Sequence, residues 1–167
     1  MVQWAIERFA PQVDEVLINA NQNLETYAAL GHRVIPDAIG GYAGPLAGLH
    51  RGLSEAAHDL VATVPCDSPF LPADLVARLY AAMEAHDATL AVARTGEQLH
   101  PVFCVCRKSV LESLTAYLES GGRKIDAWYS ALKVVEVPFD DQPEAFSNIN
   151  TESELRTAEE QRDATRR

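Results

Sequence analysis

With 167 residues, 47% of them hydrophobic, the chain has the size of one domain and enough apolar material for a sizeable core. Its 24 acidic residues outnumber 14 basic ones, and the formal charge of -10 argues against sequence-independent binding to nucleic acid or to an anionic lipid surface. Three cysteines, Cys66, Cys104 and Cys106, make no even disulfide set and no zinc-knuckle spacing, so they read as reduced thiols of a cytoplasmic protein. No apolar run reaches the ~18 residues of a membrane span.

In chain order, Val2, Ala5, Ile6 and Phe9 recur at helical spacing, so the chain opens inside a helix that Pro11 and Asp14 end. Val16-Leu17-Ile18 reads as a short buried strand running into Asn19-Ala20-Asn21, two amides that serve either a base or ribose or an ordinary turn. A helix over Leu24 to Leu30 closes at Gly31, and a second strand, Val34-Ile35, ends at Pro36-Asp37. The glycine-rich stretch Gly40 to Gly48 runs into a helix through Leu49, Leu53 and Ala56, and its loop can close over a ligand. It carries neither a Gly-Lys-Ser/Thr nor a G-x-G-x-x-G phosphate cradle. Gly44, Gly48 and Gly52 share one helical face, which lets the backbone approach a neighbour closely.

Leu60 to Val64 is uncharged and rich in β-branched types, and reads as a strand buried on both faces. The carboxyl end of such a strand is where α/β sheets bind ligands. Asp67 emerges there, in Pro65-Cys66-Asp67-Ser68-Pro69-Phe70, either as a hard-metal ligand for Mg²⁺ carrying phosphate oxygens or as a turn cap. Pro72 launches a helix marked by Leu75, Val76, Leu79, Ala82 and Met83.

Ala88 to Ala93 is the next strand, and Pro101 to Cys106 returns antiparallel to it after the turn Arg94 to Gln98. His100 lies at a plausible site edge, whereas His32, His50, His58 and His86 are scattered without metal-ligand spacing. After a helix from Ser109 to Leu118, the basic turn Ser120 to Lys124 offers Arg123 and Lys124 to an anionic group or to solvent. A short helix (Ile125 to Ala131) and a last strand (Lys133 to Val137) follow. Asn148 and Asn150 then lie on one side of an extended segment, and Thr151-x-x-Glu154 is a capping box opening a terminal helix that frays beyond about Thr157. This alternation predicts one three-layer α/β domain with a mostly parallel sheet and one antiparallel return, over residues 1–155, and a charged tail over 156–167. Asn19, Asp37, Asp67, Asn148 and Asn150 all fall at strand ends.

With these residues laid out, the chain resembles the molybdenum cofactor guanylyltransferases of the nucleotidyltransferase superfamily. The matching stretches are Val16 to Asn21, Val34 to Asp37, Gly44 to Gly48, Pro65 to Phe70, His100 to Phe103, Gly122 to Lys124 and Asn148 to Thr151. The resemblance implies a Rossmann-like nucleotidyltransferase fold and transfer of GMP from GTP to the terminal phosphate of molybdopterin, with release of pyrophosphate. It implies Asp67 as catalytic residue and Mg²⁺ ligand, Asn19, Asp37 and Asp67 on GTP, and Arg123, Lys124, Asn148 and Asn150 on the molybdopterin side. It further implies a monomer serving molybdoenzyme apoproteins alongside other cofactor-assembly proteins. A CMP-transferring relative, a non-catalytic molybdopterin carrier and a non-functional gene fragment are the alternatives.

The chain departs from that family in lacking its first strand and the glycine-rich, lysine-bearing loop that wraps the triphosphate. The expectation is therefore that Met1 is an internal start. A missing central strand would leave neighbouring backbone groups unpaired, and the 167 residues alone would be poorly stable and inactive.

Overall fold

Leu90, Ala91, Val92 and Ala93 have no solvent exposure and begin the strand at the centre of the largest sheet. The computed structural model describes residues 1–40 and 44–165. The elements are α1 (Val2–Phe9), β1 (Leu17–Asn19), α2 (Leu24–Ala28), β2 (Arg33–Ile35), α3 (Pro45–Glu55), β3 (Leu60–Thr63), α4 (Leu75–Ala85), β4 (Leu90–Thr95), β5 (Gln98–Arg107), α5 (Leu111–Glu119), α6 (Ile125–Tyr129), β6 (Val134–Pro138) and α7 (Glu152–Thr165).

Side-chain alternation makes β4 and β5 two-sided. Leu90, Val92, Cys104 and Cys106 point into one core with Leu49 and Leu53 of α3, Leu114 and Leu118 of α5, and Trp128 of α6. Ala91, Ala93, Phe103 and Val105 point into the other, with Ala5 of α1, Leu75, Leu79 and Met83 of α4, Phe139 and Phe146. Small residues on β4 let α4 approach the sheet closely, while the bulk comes from Phe103 and the helix. Helices on both faces give the three layers that the alternation predicts.

The β4–β5 hairpin turns at Gly96, whose φ of +52° suits a residue without a Cβ. Along this antiparallel pair the partner of Val92 is Cys104 but the partner of Ala93 is His100, so β5 bulges through Pro101, Val102 and Phe103. Pro101 has no N–H for the ladder, which is why the irregularity falls here. The Tyr129 hydroxyl fastens the bulge by donating to the Pro101 carbonyl at 2.7 Å.

Strand order is β3-β5-β4-β6 in one sheet, while β1 and β2 form a separate parallel pair. The expected single sheet is therefore divided. The Glu15 carboxylate accepts from the Ala57 N–H at 3.2 Å near the starts of β1 and β3, and Asn19 and Cys66 share a recess near their ends. The two strands thus run in the same direction, and between them lies an apolar cleft of about 950 Å³ lined by Ile6, Phe9, Ile18, Leu49, Val61 and Val76 among others. Helix α3 covers both strands from one face, while Ile6 and Phe9 of α1 and Val76 of α4 line the cleft as well. Among the described residues, β1 pairs only with β2 and β3 only with β5, so each has an edge without a ladder partner.

Three sequence expectations change. β3 is an edge strand with Leu60 36% exposed, and is not buried on both faces, because it has a neighbour on one side only. Helix α4 starts at Leu75, three residues after Pro72. The side chain of Gln12 accepts from the Val76 N–H at 3.0 Å while donating to the Pro72 carbonyl at 3.0 Å, so the first turn is capped from a distant segment. The terminal helix does not fray at Thr157. It continues to Thr165, burying Ala158, and Arg162 bonds Glu7 at 3.1 Å and lies 4.8 Å from the Trp4 ring centroid of α1. Thr151 and Glu154 do form the capping box, with Thr151 N–H to Glu154 at 2.9 Å and Glu154 N–H to the Thr151 hydroxyl at 3.2 Å. The part of the glycine-rich loop over residues 41–43 lies outside the described residues. No helix among the described residues is long and apolar enough to cross a membrane.

Candidate functional site

Parallel pairing of β1 with β2 sets Asn19 opposite Ile35, so the residues just beyond the two strands meet. Asn19 Nδ2 donates to the Ile35 carbonyl at 3.1 Å and to Asp37 Oδ1 at 2.8 Å. Asn21 Nδ2 donates to Asp37 Oδ2 at 3.0 Å, and Asn21 Oδ1 accepts from the Asp37 N–H at 2.9 Å. The carboxylate plane of Asp37 is therefore fixed from both oxygens. Helix α3 passes directly over this cluster at Gly48, where an added Cβ would stand 2.6 Å from Asn19 Oδ1. Only a glycine leaves Asn19 its present rotamer. Asn19 and Asn21 line a recess of about 330 Å³ together with Tyr27 and Cys66, at the lower end of the ~300–1,000 Å³ that small-molecule pockets occupy.

Cys66 carries the recess across to the turn after β3. That turn is anchored from the far end of the chain. Ser68, fully buried, donates its hydroxyl to Asn148 Oδ1 at 2.9 Å, and the Ile149 N–H donates to the Asp67 carbonyl at 2.9 Å. Ile149 is buried while Asn148 and Asn150 on either side are exposed, so a single apolar side chain pins the pair of amides. Among the described residues the half-buried Asp67 carboxylate accepts no hydrogen bond, in contrast with Asp37, and no group of three His, Cys, Asp or Glu could form a closed metal cage. A lone, unsatisfied carboxylate suits a magnesium ion that takes its remaining ligands from water and substrate phosphates, and does not suit a structural metal. Burial, and then the Asp67 carboxylate beside it, push the Cys66 thiol upward in pKa, which disfavours the thiolate.

Residues 1–134 match the family described as "MobA-like NTP transferase domain". The chain belongs to this family. The molybdenum cofactor guanylyltransferase of Shewanella sp. (strain ANA-3) is 50% identical over 151 residues, which are 90% of this chain and 77% of that protein. The one from Cupriavidus necator is 49% identical over 164 residues, covering 95% of this chain and 82% of its own. Among solved structures, molybdopterin-guanine dinucleotide biosynthesis protein A from Archaeoglobus fulgidus aligns with a TM-score of 0.75 at 22% identity, over 98% of this chain and 85% of that one. The 2-C-methyl-D-erythritol 4-phosphate cytidylyltransferase from Thermus thermophilus aligns at 0.68 with 21% identity, over 93% and 85%. Those identities speak for fold alone, and the fold is the α/β nucleotidyltransferase architecture that the sequence led us to expect.

Within this MobA-like domain the structure brings Asn19 into direct contact with Asp37, and Asn148 into the wall of the Asp67 turn. Among the described residues the side chains of the basic pair make no hydrogen bond to either group. Arg123 donates to the carbonyls of Leu118 at 3.0 Å and Gly122 at 2.6 Å, closing its own loop between α5 and α6. Lys124 is exposed, its carbonyl accepting from the Tyr117 hydroxyl at 2.8 Å. Asn150 is engaged through its backbone N–H, which donates to Glu154 at 2.8 Å. His100 stacks on Phe146 with centroids 4.6 Å apart and meets the Thr95 hydroxyl at 2.6 Å, and burial lowers its pKa. Sequence reasoning did not single out Ser68 or Gly48 as parts of the site, and gave Asn21 only a generic role. For Gly48 the four-residue glycine spacing was the available signal; for Ser68, which ties the turn to Asn148, there was none beyond its residue type.

Proposed function

We propose that this MobA-like domain transfers GMP from GTP to the terminal phosphate of molybdopterin, forming the guanine dinucleotide cofactor and pyrophosphate. The observation that carries the reading is one recess at the strand ends, lined by Asn19 and Asn21, the two amides that fix the Asp37 carboxylate, and by Cys66, the neighbour of Asp67, whose carboxylate accepts no hydrogen bond among the described residues. It is supported by the relatives, half identical over nine-tenths of the chain, that bear the guanylyltransferase name. Asn19 and Asp37 receive the guanine. Asp67 would hold Mg²⁺, which when bound would supply charge screening for the phosphates and Lewis acidity at the α-phosphoryl group.

The chain's own contribution is placement. An oxygen of the molybdopterin phosphate forms a bond to the α-phosphorus as the bond from that phosphorus to the bridging oxygen of pyrophosphate breaks, in line. The transfer is direct and needs no covalent enzyme intermediate. Arg123, Lys124, Asn148 and Asn150 belong to the molybdopterin side in this reading, with Asn148 doubling as the buttress of the Asp67 turn. Residues 1–155 belong to the nucleotidyltransferase domain, which acts as a cytoplasmic monomer. The cleft between β1 and β3 supports a sheet completed by one further strand parallel to both, whose following loop would open onto the recess.

The test is pyrophosphate release with Mg²⁺, molybdopterin and either GTP or CTP, by the 167 residues joined to such a strand and loop. Release from GTP in preference to CTP, falling at least 100-fold in Asp67→Asn, is expected on the order of what a lost transition-state contact removes. Preference for CTP, or molybdopterin binding with no pyrophosphate from either nucleotide, overturns the reading.

A further inference from the structure

We propose that Asn21 is a positioning residue for guanine selection, acting through Asp37 and not on the nucleotide itself; this rests on the guanylyl-transfer reading above. A carboxylate side chain turns easily about its terminal torsion, for which the rotamer wells are broad. What aims it must come from its hydrogen bonds. Among the described residues Asp37 has two side-chain donors, Asn19 on Oδ1 at 2.8 Å and Asn21 on Oδ2 at 3.0 Å, and Asn21 also accepts the Asp37 backbone N–H at 2.9 Å. Asn21 therefore engages both ends of its amide on one residue sixteen positions away, gripping side chain and backbone together. Asn19, tied in turn to the Ile35 carbonyl at 3.1 Å, fixes the other oxygen.

The remaining acceptor capacity decides what this arrangement can read. An ionised carboxylate has about four lone-pair sites. One site on each oxygen is used by an amide, leaving one on each for a ligand. Two acceptor sites side by side match two parallel N–H donors, which the N1–H and exocyclic amino group of guanine present on one edge. Adenine and cytosine place a ring acceptor next to their amino group and would set a lone pair against one of the two oxygens. If the carboxylate were free to turn, it would still accept a single hydrogen bond from any amino group and the distinction would fade.

Asn21 is solvent-exposed and packs no core, so its removal leaves the rest of the fold in place. The experiment is equilibrium binding of GTP, ITP and ATP, with Mg²⁺, to the 167-residue chain and to Asn21→Ala, Asn21→Asp and Asn21→Gln, alongside thermal melting. ITP keeps N1–H and lacks the amino group, so the GTP-to-ITP ratio reads the two-point contact. The wild type is expected to favour GTP. Asn21→Ala should lose on the order of tenfold in that ratio, the worth of one hydrogen bond to a charged group, with ATP weakened far less than GTP and melting lowered only by the loss of two solvent-exposed hydrogen bonds. Asn21→Asp, which keeps the acceptor for the Asp37 N–H but sets a second negative charge against Oδ2, should lose more; Asn21→Gln should recover part of the ratio. Equal weakening of all three nucleotides in Asn21→Ala would mark a merely structural residue and overturn the proposal, as would an unchanged ratio. A wild type without preference for GTP overturns the guanine reading itself, and the proposal with it.

Discussion

Gly48→Ala puts a single methyl group where α3 crosses Asn19. The new Cβ would lie 2.6 Å from Asn19 Oδ1 and 3.3 Å from its Cγ, so the amide must swing away. Swinging breaks both bonds from Nδ2, to Ile35 and to Asp37. Each contributes about 0.5–1.5 kcal/mol, and water reaches the second, so about 1–3 kcal/mol is lost in all. Replacing an interior helical glycine with alanine returns about 1 kcal/mol of helix propensity. The net change in stability is thus small, about 1 kcal/mol of loss. The effect on GTP is not offset, because Asp37 loses the donor on Oδ1 and the recess loses the Asn19 amide: affinity should fall on the order of tenfold or more. Urea denaturation and GTP titration on the same preparation separate the two. A Gly48→Ala protein that is more stable than wild type by about 1 kcal/mol and binds GTP normally would refute the reasoning, since it would mean that helix and amide coexist at that spacing.

Ser68→Ala removes the buried donor to Asn148 and should destabilise by about 1 kcal/mol in urea titration; because the Asp67 turn loses one of its two tethers to the 148–149 segment, turnover should fall more than stability. Stability should also decline in mild acid. His50 Nε2 meets the Thr115 hydroxyl, which itself donates to the Leu111 carbonyl, so His50 is the donor there and its buried Nδ1 has no partner among the described residues. Burial, and then Arg51, hold its pKa below the ordinary value near 6.5, and burial does the same to His100. With depressed folded-state values, the unfolded chain takes up protons first as pH falls below about 6.5. Stability is therefore full above that pH, drops through the interval down to the folded values and then levels. Thermal melts from pH 8 to 5 on His50→Gln and His100→Gln should each show a shallower decline; parallel profiles would dismiss the two histidines as its source.

Much of the architecture was legible because helical spacing and strand composition are local. Val2, Ala5, Ile6 and Phe9, or Leu75, Leu79 and Met83, announce their faces without knowledge of the rest. The site was partly legible for the same reason, since Asn19, Asp37 and Asp67 each follow a recognisable strand. What could not be read is whatever depends on an encounter between distant segments. The grip of Asn21 on Asp37 requires β1 and β2 to pair in one register, and the cap that Gln12 gives α4 spans 64 residues. The terminal helix reads as a fraying tail because its charges dominate its composition, yet Ala158, together with Arg162 bonded to Glu7 and set over Trp4, ties it down. The apolar run Leu60 to Val64 speaks of burial on two faces, and composition carries no information about whether a neighbouring strand stands there.

The cleft between β1 and β3 also has a calorimetric side. Apolar surface that folding leaves in contact with water contributes nothing to the heat-capacity change of unfolding, nor to the denaturant slope, both of which scale with surface newly exposed. The 167-residue chain should therefore unfold with a smaller heat-capacity increment and a shallower urea dependence than its length implies. Its amide protons should report the same division. A pair of strands without a third is marginal by itself, so Leu17 to Asn19 and Arg33 to Ile35 should exchange with solvent through local opening, while β4, enclosed on both faces and paired on both edges, should exchange only when the whole molecule unfolds.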